Sequence, residues 1–152
     1  MRKQLYLNLI DRLKSVKGKN SISLIKTFDL WNEQIDFIEQ EGAFDIPAVF
    51  IEFLPIEWKT LGGNIQQADA SIRLHVVTPW KGSERDGSLY QEQALQRFDL
   101  LDQIHSCLFN YQKEYEHGNF CMFRRTSSAT NHNHDELVED IETFTFRVME
   151  KA

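Results

Sequence analysis

The sequence has few of the residues and motifs that mark cross-linked scaffolds and common enzyme classes. Its two cysteines, Cys107 and Cys121, lack the C-x-x-C spacing of a zinc or redox site. There is no G-x-S-x-G elbow, no glycine-rich phosphate loop and no H-E-x-x-H pair. These absences exclude a disulfide-dependent scaffold and lower the expectation of catalysis.

Positive charge and long apolar runs are also scarce. Lys and Arg total 17 against 23 Asp and Glu, which gives a net charge of −6 and argues against tight nucleic-acid binding. No apolar run approaches the roughly 20 residues that cross a bilayer. The opening "MRKQLYLNLIDRLK" has charges on both sides of a very short apolar stretch, unlike a signal peptide. We therefore expect cytoplasmic synthesis with reduced thiols.

What the chain does contain suits one globular domain. Of its 152 residues 41% are hydrophobic, and 11 Phe supply bulky side chains for a core. A chain of this size buries roughly two-thirds of the surface of its unfolded form. With no repeats, no low-complexity segment and no second core pattern, we expect a single domain over residues 1–152.

Two segments have helical periodicity. From Gln4 to Val16 the apolar residues recur every three or four positions, and Gly18 is placed to end the helix. A second helix is predicted from Ser88 to Asn110, with Ser88 as its cap and Gln91 at the reciprocal capping-box position. Its mostly apolar stripe predicts packing along one face of a sheet and consists of Leu95, Phe98, Leu101, Ile104, His105, Leu108 and Phe109.

The remaining periodic segments are typical of strands. They lie at residues 22–31, about 35–38, 48–54, 66–78, 120–128 and 137–149. Segment 22–31 also fits helical spacing, and Pro47 and Pro55 bracket segment 48–54. The sequence therefore predicts an α+β fold: a mostly antiparallel β-sheet of about four to five strands, packed by an N-terminal helix and one long central helix.

Segment 66–78 alternates between an apolar side and a second side that contacts solvent or another subunit. Arg73 and His75 belong to this second side. His75 is a candidate base by residue type alone, and a surface imidazole is the favoured interpretation because no carboxylate lies at a fixed offset. Glu52 is either an acid in a pocket or an outward-pointing residue of a half-covered sheet, and the outward position is favoured.

The long polar loop after this strand contains Trp80. An aromatic ring on such a loop is either an anchor for an interface or a side chain that folds back onto its own domain. Both alternatives stay open from the sequence.

The segment "TNHNHDELVED" raises the question of a metal site. His132, His134 and Asp135 have ligand chemistry, and a catalytic zinc needs three protein ligands with an open position. However, Asn, His and Asp tolerate turn conformations, and Asn and Asp hydrogen-bond their own backbone. A turn between the last two strands is the favoured interpretation, and a metal-dependent hydrolase is the alternative.

The order of elements resembles the tail terminator (tail-completion) proteins of long-tailed bacteriophages and prophages. Members of that family have a "P-x-V-x-I/V-x-F" strand, a following "I-x-L-H-V" strand and then a helix of about twenty residues. Here these features fall at Pro47 to Phe53, Ile72 to Val76 and Ser88 to Asn110, and the resemblance extends over roughly residues 3–149.

This resemblance implies a non-enzymatic virion component without catalytic residues or cofactor. It implies a ring, commonly a hexamer, that caps the tail tube and docks the head connector, so the partners are other copies, the tail tube protein and the connector protein. The protein would reside in the virion tail, and in the host bacterial cytoplasm during assembly. Trp80, Arg73 and His75 are hypothetical interface residues. A small cytoplasmic binding module is a further alternative.

Overall fold

A computed structural model describes residues 1–36, 44–80, 82, 85–132 and 134–151. The described residues form two helices and seven strands. In chain order these are α1 (Arg2–Leu13), β1 (Thr27–Leu30), β2 (Ala48–Phe53), β3 (Lys59–Gly62), β4 (Ile65–Pro79), α2 (Gln91–Leu108), β5 (Lys113–Tyr115), β6 (Gly118–Asn131) and β7 (Leu137–Lys151).

All seven strands belong to one curled sheet. Their order is β1-β2-β4-β7-β6-β5, with β3 pairing to β4 outside this path. Only β1 and β2 are parallel among these pairs. The α+β class, the mostly antiparallel sheet and the two helices are confirmed, but the expected four to five strands are too few.

The centre of the sheet is the long pair of β4 and β7, each of 15 residues. They pair along their whole length, from Ile65 opposite Lys151 to Pro79 opposite Leu137. Successive side chains of a strand point to opposite faces, and the predicted alternation is confirmed in both strands. One face buries Ala68, Ala70, Ile72, Leu74, Val76, Phe144, Phe146 and Val148.

Both helices cover this apolar face, which we call the helix face. Leu5, Leu9 and Leu13 are spaced by four residues and fully buried, so α1 presents one stripe to the core. From α2, Leu101, Ile104 and Leu108 enter the same core. The opposite side of the sheet is called the outer face.

The helix ends differ from prediction. α1 ends at Leu13, with Lys14 as its C-cap, before it reaches Gly18. The N-cap of α2 is Tyr90, which makes no side-chain cap, and the Gln91 side chain accepts a hydrogen bond from the Gly87 amide at 3.1 Å. The expected Ser88 capping box is therefore wrong.

Several strand bounds also differ. β1 covers only Thr27–Leu30 of the predicted 22–31, because the Leu24 amide donates to the Val16 carbonyl and not to a strand. Of the predicted strand at 35–38, residues 35 and 36 form a turn and residues 37 and 38 lie outside the described residues. β3 and β5 were not predicted. β3 is exposed at all four positions, so it has no burial alternation to detect.

Candidate functional site

Three strands bring a group of ionisable side chains together on the outer face. His75 of β4 pairs with Phe50 of β2 on one side and with Ile141 of β7 on the other. Glu52 of β2 and Glu139 of β7 are each two residues away from these partners, so they lie diagonally across from His75. Together with Trp31, these residues are called the His75 cluster.

Both ring nitrogens of His75 contact carboxylates. Nδ1 lies 2.5 Å from Glu139 Oε1, and Nε2 lies 3.0 Å from Glu52 Oε2. An ionised carboxylate only accepts hydrogen bonds, so each carboxylate can accept from the ring nitrogen that faces it. His75 is 4% exposed, so the ring that joins the two carboxylates is buried.

The indole of Trp31 covers the imidazole. The two rings are parallel within 2°, and their centroids are 3.8 Å apart. Trp31 follows β1 directly, and its amide donates to the Ile51 carbonyl at 2.9 Å. The Gln34 side chain then holds the turn by donating to the Leu30 carbonyl and accepting from the Asn32 amide. Residues 31–36 are thus fixed over this end of the outer face.

The electrostatics of Glu139 reflect these contacts. Burial raises the pKa of its carboxyl, but hydrogen bonds from His75 and Asn131 and the charges of His75 and His134 more than offset it, leaving the pKa below its usual value. The Asn131 amide donates to Glu139 Oε2 at 3.0 Å. Glu139 is therefore a stabilised anion even though it is only 4% exposed.

The next residue, Asp140, lies on the helix face, and the pKa of its carboxyl is shifted in the opposite direction. Burial raises the pKa of its carboxyl above the usual value, although the Thr130 hydroxyl donates to it at 2.7 Å and Arg97 lies nearby. Arg97 Nε is 3.3 Å from Asp140 Oδ2 and thereby connects α2 to β7. Adjacent carboxylates of one strand are thus shifted in opposite directions.

The structure corrects the interpretation of His75. The sequence predicted a surface imidazole, but the ring is buried because the neighbouring strands supply two carboxylates far away in sequence. Glu52 does point to the outer face, and its side chain is 27% exposed. Trp31 and Glu139 were not identified from the sequence. The sequence signal that could have found Glu139 is strand alternation, which puts it on an outward position like Glu52 and His75.

The other two hypothetical interface residues, Arg73 and Trp80, do not contact the buried imidazole of His75. Arg73 is exposed, with Nη1 3.4 Å from Glu52 Oε2. Trp80 is partly buried, and its amide donates to the Glu136 carbonyl at 2.9 Å. Within the described ranges, the Trp80 indole nitrogen is shielded from solvent and has no hydrogen-bond partner.

The histidines of the last hairpin face different neighbours. His132 and Asp135 are exposed, whereas His134 is partly buried with Nε2 3.7 Å from Asp36 Oδ1. Among the residues that the structure describes, no group of three or more His, Cys, Asp or Glu is placed to hold a metal ion. His134 instead lies beside the turn at residues 31–36.

The geometry of the His75 cluster suits positioning better than proton transfer. A general base must reach the proton that it removes, and here both nitrogens are already engaged and Trp31 covers the ring. The cluster therefore fixes β2, β4, β7 and the turn at residues 31–36 relative to one another.

No protein family model matches the chain, and no curated protein matches it significantly. No helix in the described part of the chain is long and apolar enough to span a membrane.

Proposed function

We propose that this chain is a structural, ring-forming subunit of a long-tailed phage or prophage, which ends the tail tube and joins it to the head connector. It works without cofactor or catalytic residue, and its partners are other copies of itself, the tail tube protein and the connector protein. The resemblance of "IPAVFIEF", "SIRLHVV" and the following helix to tail terminator proteins supports this assignment.

The observation that carries the proposal is the apolar surface that α2 leaves uncovered. Leu95 is 51% exposed, Phe98 45% and Phe109 53%, and their spacing places them on one side of the helix. Leu89 and Tyr90, just before the helix, are 96% and 46% exposed. Large exposed apolar patches are uncommon on monomers and mark interaction sites. This surface favours self-association.

The His75 cluster supports a structural role in a second way. Its ionisable groups are paired with one another, so they hold strands together in preference to binding a substrate. A rigid outer face is what a repeated subunit contact requires.

The charge suits a pore for DNA. Six copies at −6 each would give a ring with a charge of −36. An acidic lumen repels phosphates and lets DNA pass without specific binding.

Electron microscopy of the purified protein tests the proposal, with annular particles as the expected result. Size-exclusion chromatography with light scattering then compares Trp80→Ala and Arg73→Glu with Lys3→Glu, an exposed charge reversal on α1. We expect the first two to lower the assembled mass and the control to keep it. A wild-type protein that stays monomeric at every concentration contradicts the proposal.

A further inference from the structure

The exposed side of α2 combines apolar side chains with negative charge. Leu95 and Phe98 are about half exposed, and the exposed charged residues of the helix are Glu92, Asp99 and Asp102, all acidic. The one arginine of α2, Arg97, is buried against Asp140. We call this surface the α2 face.

The outer face carries a surface of opposite charge, which lies at the end of the sheet away from the His75 cluster. A shallow groove of about 260 Å³ is lined by Asp69, Met122, Arg124, Thr126, Thr145, Phe146 and Arg147. A shift of register between Cys121 and Arg124 creates the groove, because it displaces Met122 from the regular ladder with φ of 60°. Met122 is 45% exposed there. We call this surface the outer groove.

Arginine dominates the charge of the outer groove even though the chain is acidic overall. Arg124 is exposed, and Arg147 Nε lies 3.0 Å from Asp69 Oδ1, so one of two arginine charges is compensated within the groove. Arg73 lies further along the same side of β4, where its Nη1 is 3.4 Å from Glu52 Oε2. The groove thus offers an apolar floor, and its rim carries Arg124, which has no acidic partner among the residues that the structure describes.

We propose that the α2 face of one copy docks in the outer groove of the next copy. Leu95 and Phe98 would cover Met122, and Asp99 and Asp102 would lie against Arg124. Charge complementarity between two surfaces of the same chain points to a second copy as the occupant. This inference rests on the proposed function, since it names the surfaces that would build the ring.

The placement of the two surfaces fits a head-to-tail contact, which is the type of contact that builds a ring when its rotation closes. The helices cover one face of the sheet, and the outer groove lies on the other, so a contact between them is head-to-tail and repeats from copy to copy. A two-fold dimer would need one patch that complements itself. Neither surface does so, because the charge of each is dominated by one sign.

Charge reversal tests the contact. Asp102→Lys and Arg124→Glu should each raise the protein concentration for half-assembly at least about tenfold, because each puts like charges together. An equimolar mixture of the two variants should recover rings, since wild-type and reversed pairs then alternate around the ring. The double variant Asp102→Lys/Arg124→Glu should also assemble. Lys3→Glu is the control, and circular dichroism verifies that each variant is folded.

The outcomes separate this inference from the proposed function. Rings in the wild type that survive both reversals overturn the docking and leave the proposed function standing. Loss of rings in both variants without recovery in the mixture or the double variant also overturns the pairing of these two surfaces. A wild type that never assembles overturns both.

Discussion

The two faces of the sheet accommodate buried charge in opposite ways. On the outer face, Glu139 has His75 and Asn131 as hydrogen-bond donors, and its pKa is lowered. On the helix face, Asp140 is the next residue along the same strand, and burial raises its pKa despite Arg97. Burial alone therefore does not decide the state of a carboxylate. The donors that neighbouring strands place beside it decide whether ionisation stabilises the fold.

The two faces also differ in the interactions that stabilise them. The helix face is an aromatic and aliphatic core in which Phe123 and Phe146 stack with centroids 4.5 Å apart. Among the described residues, the outer face has a small apolar cluster, whose buried members are Ile35, Ala48, Phe50 and Val77, and beside it lies the ionic His75 cluster. We therefore expect hydrophobic substitutions to matter most on one face and loss of charge partners on the other.

The largest effect should come from Phe146→Ala on the helix face. Removing a buried Phe leaves a cavity and costs about 3–5 kcal/mol in the free energy of unfolding. Thr145→Ala, the adjacent residue on the outer face, should cost below about 1 kcal/mol. Denaturant unfolding of both variants measures the difference, and equal losses would contradict the assignment of the two faces.

The next effect should come from His75→Leu. It leaves Glu139 buried without its main charge partner, which costs about 3 kcal/mol, the lower end for a broken buried pair because Glu52 is partly exposed. Arg73→Leu on the same strand and face should cost below about 1 kcal/mol, since its pair is exposed. Similar unfolding free energies for the two variants would show that His75 is not a structural centre.

A pH titration sharpens the comparison further. The lowered pKa of Glu139 gives stability that is present above its ordinary value of 4.5 and lost as the pH falls through the folded value. The raised pKa of Asp140 works in reverse: its stability is present below 3.8 and lost as the pH rises through the folded value. Relative to wild type, Glu139→Gln should therefore lose stability as the pH rises towards 4.5, and Asp140→Asn should gain stability as the pH rises from 3.8 through the folded value. Parallel curves for the two variants would refute the opposite shifts.

The smallest effect should come from Arg147→Gln. Its ion pair with Asp69 lies in solvent on the outer face, where salt and water screen the attraction. We expect an unchanged thermal midpoint and, through the outer groove, a weaker assembly. A lower midpoint would place this pair among the interactions that hold the fold.

The sequence could predict which side of a strand faces the core and the hairpin of the last two strands, which pair as β6 and β7, but not the other strand neighbours. Alternation in β4 and β7 identified the buried positions, because period-two burial is local information. The partners of His75 come from positions 52 and 139, and only the register of three strands brings them together. Trp31 follows a strand whose pattern also fitted a helix. β3 and β5 are short, and most of their residues are exposed, so burial left no pattern.

Hydrogen exchange followed by mass spectrometry, at dilute and concentrated protein, tests most directly whether the α2 face and the outer groove are the two halves of one contact between copies. Peptides covering residues 91–109 and residues 121–127 should both gain protection as the concentration rises, and both should lose it in Arg124→Glu. The account is contradicted if neither region responds to concentration, or if only one of them does.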